Sequence, residues 1–158
     1  MSILSRNAAG RGTLLRAFLI GGAVAGTLDI SSAVLLAGMR VFPVIAGGLL
    51  GRNLPQTVWV NLLGITLHYV IAFTGAAVFC LASRKLTFLT RHWLVCGLTY
   101  GMQVYLFMNL VVLPLSAYHR TGPFVYHTLV RDMLILMFVY GLPLAFMVHR
   151  IAPATVEG

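Results

Sequence analysis

An aspartate within an apolar stretch is the first residue of this sequence that could do chemistry. Asp29 is one of three acids among 158 residues, and it lies inside the apolar run 17–38. A carboxylate deep in a bilayer is costly, so it should face other helices or water rather than lipid. Residues three, four and seven positions away share its helical face, and those on it are small. They are Gly22, Ala25, Gly26, Ser32 and Ala33. Such a face lets a neighbouring helix approach closely.

Polar residues in the other apolar runs lie at related depths. With about 1.5 Å of helical rise per residue, Asp29 and His68 each lie within about 3 Å of the membrane midplane, on its outer side. Asn109 lies about 6 Å outward, and Asp132 with Arg131 lies about 10 Å outward. The spacing therefore predicts a polar cleft that opens outward and ends at Asp29.

Two functions fit this pattern. A carboxylate beside an imidazole can exchange a proton near neutral pH, so Asp29 and His68 could serve a small transporter or a proton- or ion-binding protein. Alternatively, the two side chains form a structural hydrogen bond between helices. The protein would then be a small accessory or structural membrane protein with a buried polar network. From the residues alone we prefer the structural role and keep the transport or binding role as the alternative.

Arg131 and Asp132 are neighbours in the fourth apolar run. Adjacent residues point about 100° apart on a helix, so we do not expect them to pair along it. Arg131 should extend to the outer headgroups, or alternatively reach a carboxylate on another span.

Signatures of enzymes and cofactor sites are absent from the sequence. It contains neither HExxH nor GxSxG. Haem binding within the bundle would need two deep histidines, and only His68 lies deep. The cysteines, Cys80 and Cys96, lack zinc-ligand spacing. We therefore expect no enzyme activity, no catalytic residue, no metal and no cofactor. The candidate binding residues are Asp29, His68, Asn109, Asp132 and Arg131.

Composition identifies lipid as the solvent of this chain. It is 59% hydrophobic and 9% charged, with a mean hydropathy of +0.94, whereas soluble domains average about 25% charged residues. Four apolar runs are each long enough to cross a bilayer. They are residues 17–38, 58–82, 93–117 and 128–149. The predicted fold class is all-α, an integral membrane bundle of four transmembrane helices.

The flanking segments complete the predicted organisation. Residues 1–16 form a basic N-terminal segment at the membrane surface or without order, 17–150 the transmembrane domain and 151–158 a cytoplasmic tail. Residues 41–54 are too apolar for an ordinary loop and too short to cross, so they should form an interfacial helix beginning near Pro43 or, alternatively, a re-entrant one.

Charge decides the predicted orientation and partners. The net charge is +8, but the basic residues mostly flank the apolar runs, so nucleic acid is not an expected partner. One side of the membrane carries seven Lys and Arg residues and the other three. This asymmetry places both termini in the cytoplasm. The glycine pairs Gly22/Gly26 and Gly97/Gly101 offer more close-packing surface than one protomer should need, which suggests a homo-oligomer through Gly/Ala faces.

Three motifs resemble those of small bacterial inner-membrane proteins, and more distantly the YagU-like inner-membrane family. They are GGAVAGTLD at 21–29, LHYVIAF at 67–73 and YGMQVYLFMNLVVLPL at 100–115. The resemblance implies a four-helix protein of the bacterial plasma membrane. It implies no reaction, substrate or catalytic residue.

Overall fold

The chain folds into helices that are long enough to cross a membrane. A computed structural model describes residues 3–118 and 126–152, and their side chains from residue 12 onward. Four of its helical segments are long and apolar enough to span a bilayer, with mean hydropathies of 1.5–2.0. They are Gly12–Leu50, Val58–Lys85, Trp93–Leu115 and Tyr126–Ile151. The described residues contain no strand, so the predicted all-α bundle is confirmed.

The segments divide into eight α-helices with three local changes of pitch. They are α1 (Ile3–Ala37), a 3-10 turn (Gly38–Arg40), α2 (Val41–Leu50), α3 (Val58–Lys85), α4 (Phe88–Arg91), α5 (Trp93–Phe107), a π-helical turn (Met108–Val112), α6 (Leu113–Leu115), α7 (Tyr126–Ile135), a second π-helical turn (Leu136–Gly141) and α8 (Leu142–Ile151).

The first helix is longer than predicted. It begins at Ile3, so residues 3–16 are helical and continuous with the first apolar run. Their location at the membrane surface stays a prediction. The segment contains no proline to interrupt the hydrogen-bonding pattern, which is why the helix can extend through it. The predicted tail beyond residue 152 and the loop residues 119–125 lie outside the described residues.

The spans run alternately in opposite directions, and glycines set their closest contacts. Gly22 packs on Phe73 and Ala76 of α3, whereas Gly26 packs on Ala72 and Tyr69, so α1 and α3 are antiparallel. α1 also packs on α8, and α8 packs on α5. α4 and the end of α8 meet at one end of the bundle, the α4 end. The opposite end, with α2 and residues 113–118, is called the α2 end.

The glycine faces expected to form an oligomer are covered within the protomer. Cβ atoms added at Gly97 and Gly101 would meet α8 and the π-helical turn before it, 2.8 Å from Ala145 Cβ and 2.6 Å from Met137 Cα respectively. Gly22 and Gly26 are covered by α3, as described above. The prediction of an oligomer assumed that one protomer could not cover these glycines. That assumption is wrong, because the chain packs all four against its own helices.

The prolines of the third and fourth spans each follow a π-helical turn. Pro114 comes just after Met108–Val112, and Pro143 just after Leu136–Gly141. Proline lacks the backbone N–H, and its ring clashes with the preceding turn. A wider turn relieves that clash, and π-helical turns are frequent at functional sites.

The predicted short helix after the first span is α2. The chain turns at Gly38, whose φ of 64° is a conformation that favours glycine. Phe42 then lies with its backbone against Gly64 of α3. Gly64 is about 9 Å along α3 from its first residue. α2 therefore packs beside the first turns of α3, and the choice between an interfacial and a re-entrant helix stays a prediction.

Candidate functional site

The α2 half of the bundle contains a partly open cavity of about 400 Å³. It lies between α1, α2, α3, the α5 span and the α7 span. Its lining consists of Asp29, Ile30, Ala33, Val44, Ile45, Gly48, His68, Ile71, Ala72, Val104, Tyr105, Met108, Asn109, Val112, Leu113, Ser116, Thr128, Leu129, Asp132, Leu136 and Tyr140. The main hydrophobic core, which includes Phe79, Leu144 and Val148, lies in the other half. Side chains thus fill the α4 half of the bundle, and the α2 half is left open.

Four of the five predicted site residues line this one cavity. Asp29, His68, Asn109 and Asp132 come from four different spans, and all four are among the lining residues. Arg131 does not line it. Depth counting along the helices therefore grouped these residues correctly.

Asp29 lies where α1 leaves its closest contact with α3. Within the described part of the chain, its carboxylate accepts no hydrogen bond and forms no ion pair. The nearby hydroxyl of Ser32 donates to the backbone carbonyl of Asp29, over 2.7 Å. Since its side-chain oxygens are not fully buried and Asp29 lines the cavity, the carboxylate is available to a molecule that enters it.

His68 bonds to a different atom from the one predicted. Its Nε2 lies 2.9 Å from the backbone oxygen of Gly26. A carbonyl can only accept, so Nε2 carries the hydrogen and donates it. Gly26 lies three residues before Asp29 on the same helical face and has no side chain to hold the ring away. The expected Asp29–His68 hydrogen bond is therefore wrong, although the two groups interact electrostatically across the cavity wall.

Two tyrosines that the sequence analysis did not single out tie the helices together. The Tyr140 hydroxyl donates to the Ala72 oxygen over 2.6 Å, and the Tyr100 hydroxyl donates to the Gly75 oxygen over 2.6 Å. Buried tyrosines usually find such partners, so their depth in the spans was the signal that could have found them. The His68 bond joins α1 to α3, and the two tyrosine bonds join the α5 and α7 spans to α3, so these three polar contacts between spans are made without Asp29.

Asn109 lies in the first π-helical turn and is 9% exposed. Its Nδ2 donates to the Tyr105 oxygen over 3.0 Å. Because amide hydrogens are engaged on its own helix, Asn109 is held at the cavity wall.

Arg131 and Asp132 form an ion pair, contrary to the prediction. Arg131 Nε and Nη2 each lie 2.9 Å from Asp132 Oδ1. The arginine side chain is long enough to bend round the helix, so the 100° offset between adjacent positions does not prevent contact. The side chains are 55% and 40% exposed, which places the pair at the edge of the cavity.

Helix α2 forms part of the cavity wall at the α2 end. Val44, Ile45 and Gly48 line it, and the backbone N–H of Ala117 donates to the Gly48 oxygen over 3.0 Å. The Arg52 guanidinium lies 5.4 Å from the centre of the Tyr118 ring. These contacts join α2 to the segment that follows the third span.

The polar groups of the cavity are two carboxylates, an imidazole, an amide and hydroxyls, and no Lys or Arg is among its lining residues. Over the described residues, no group of three or more His, Cys, Asp or Glu could hold a metal ion. The arrangement can therefore attract positive charge without a metal cluster.

Comparison with known proteins found no match to this chain among protein-family models, curated proteins or solved structures. The resemblance to the YagU-like family stays a prediction. The chain is a membrane protein by its four apolar helices, and the case for its function depends on the cavity.

Proposed function

We propose that this protein is a cation-binding membrane protein, in which a small organic cation enters the cavity and its charge lies against Asp29. The observation that carries the proposal is a carboxylate deep in a span that accepts no hydrogen bond and forms no ion pair within the described residues, and that is accessible from a cavity. Acids inside a membrane are expensive and are retained mainly for function.

The structural alternative loses its main support. It required Asp29 to join α1 to α3, but His68 makes that bond to the Gly26 oxygen instead. The Tyr100 and Tyr140 hydroxyls join the other two spans to α3 without Asp29. An acid without a structural partner only adds a desolvation cost to folding. A ligand that carries positive charge would offset that cost.

The walls favour an organic cation over a bare metal ion. Most lining residues are aliphatic, such as Ile71, Val104 and Leu136, and they would solvate an apolar body. A hard divalent ion prefers six or more oxygen ligands, whereas Asp29, Asn109 and Asp132 lie at different depths. A volume of about 400 Å³ suits a small molecule, because ligand pockets usually measure about 300–1,000 Å³.

The location and orientation are part of the proposal. The excess of Lys and Arg on one side supports cytoplasmic termini and an outward-facing α2 end. The protein would then lie in the inner membrane of a bacterium, and the ligand would enter the cavity from the outer side. No catalytic step is proposed, because no lining group is arranged as a nucleophile with its base.

The test uses a cation and its neutral carbon isostere. Binding of benzyltrimethylammonium and of neopentylbenzene to purified protein in lipid nanodiscs is measured by calorimetry. Wild type should bind the cation more tightly than the neutral compound. Asp29→Asn keeps the shape and removes the charge, so it should weaken cation binding about 30-fold or more, equivalent to about 2 kcal/mol for a buried charge contact.

Asp132→Asn is the matched control. Asp132 is partly exposed and already paired with Arg131, so its loss should weaken binding by less than about threefold. Equal cation affinity in wild type and Asp29→Asn would refute the proposal. So would failure of wild type to bind either this cation or tetraethylammonium.

A further inference from the structure

The outer side of α5 carries an amide near the middle of its span. Gln103 lies one residue from the centre of Trp93–Leu115, and its side chain is exposed. Across the residues that the structure describes, it makes no hydrogen bond. Hydrocarbon offers an amide no partner, so an unpaired one at this depth is strongly unfavourable.

Exposed threonines in the same spans solve this problem locally. Thr66, Thr74 and Thr99 each donate their hydroxyl to an oxygen of their own helix, over 2.9, 2.7 and 3.0 Å. Such bonds allow a hydroxyl to face lipid. Gln103 has no equivalent bond, and its amide has two donor hydrogens and an acceptor to satisfy.

Exposed residues around Gln103 follow the spacing of a helix-pairing seam. Thr99, Gln103, Leu106 and Leu110 are separated by four, three and four positions, and all four are exposed. Steps of three and four residues align one face of each helix in left-handed pairs, which are common in membranes. The glycine face of α5 is not available for this purpose, because Gly97 and Gly101 already contact α8 and the turn before it.

We propose that a second copy of this chain packs on this seam, α5 against α5, with Gln103 of each copy bonded to Gln103 of the other. An amide is complementary to itself: the N–H of one donates to the oxygen of the other, and the reverse bond forms at the same time. A twofold axis through this point satisfies both. The seam carries no charged residue to repel a second copy. The dimer is independent of what the cavity binds.

The dimer is tested by energy transfer between donor- and acceptor-labelled copies of the full chain in vesicles, measured against protein density. Wild type should dimerise. Gln103→Leu should require at least about tenfold higher density for half-maximal transfer, because two hydrogen bonds between helices are lost. Gln103→Asn keeps an amide and should recover part of the transfer. Thr74→Leu, on the exposed side of α3, should leave it unchanged.

Cross-linking locates the interface. In a chain with Cys80→Ala and Cys96→Ser, the single-cysteine variants Leu106→Cys and Leu110→Cys should form disulfides between copies when an oxidant is added. A cysteine at Val78, which is 55% exposed on α3, should not. Absence of energy transfer in wild type at every density would overturn the proposal. Equal transfer by Gln103→Leu, or cross-linking at Val78 as strong as at Leu106, would also overturn it.

Discussion

The contact between α5 and the segment leading into α8 should tolerate added volume poorly. A Cβ on Gly101 would lie 2.6 Å from the Leu136 oxygen and 2.6 Å from Met137 Cα. Both are backbone atoms that no rotamer change can move. Since carbon atoms pack best at about 3.5–4.0 Å, the two segments would have to separate by about 1 Å.

The Gly101→Ala substitution should therefore destabilise the bundle. Overpacking of this kind costs about 1–3 kcal/mol, and the better helix propensity of alanine returns up to about 1 kcal/mol. We expect a net loss of about 1 kcal/mol, or a fall in Tm of about 2–4 °C for a chain of this size. Gly48→Ala is the matched control, because its nearest neighbour would be Ser116 Cβ at 4.0 Å. It should keep or raise the Tm.

Cys80 supplies the assay. Its side chain is 2% exposed and its thiol is free, so a thiol-reactive dye labels it only on unfolding. The measurement is made in detergent with Cys96→Ser as background, because Cys96 is partly exposed. A Tm for Gly101→Ala equal to that of the background would refute the close approach of these backbones. Equal losses in Gly101→Ala and Gly48→Ala would show that helix glycines matter for a reason other than contact.

Two further outcomes are expected. His68→Phe leaves the Gly26 oxygen without its donor and should lower stability by about 1–3 kcal/mol, whereas Asp29→Leu should match or exceed wild type in the same thiol assay; the reverse order would contradict the assignment of bonds. Reporter fusions should give cytoplasmic signals at both termini and an external signal at position 120, and a cytoplasmic signal at 120 would overturn the orientation.

Depth along a membrane helix could be predicted from the sequence because each residue adds a fixed rise. That regularity placed Asp29, His68, Asn109 and Asp132 at one cavity although they belong to four spans. The four spans followed in the same way from the length of apolar runs. Both predictions depend only on position along a helix axis, which tertiary packing hardly changes.

Rotation about the helix axis could not be predicted to the same accuracy. His68 is close enough in depth to bond to Asp29, but it meets the Gly26 oxygen on the preceding turn of α1. The glycine that permits the close approach also exposes its own carbonyl to the ring. The length of a side chain was the second source of error. The angle between adjacent helix positions predicted no contact between Arg131 and Asp132, but the arginine side chain is long enough to bend back to the carboxylate.

The floor of the cavity separates binding from transport. Tyr140 and Ala72 both line the cavity, and the hydrogen bond between them joins the α7 span to α3 where the packed core begins. A cation lying against Asp29 would need no change there. Passage to the α4 end would require Tyr140 to leave the Ala72 oxygen and the core below it to open. Because the π-helical turn Leu136–Gly141 carries Tyr140 and such turns lack regular helix bonding, it is the element that would have to move. Binding at Asp29 is thus compatible with the contacts as they stand, and transport would require breaking one of them.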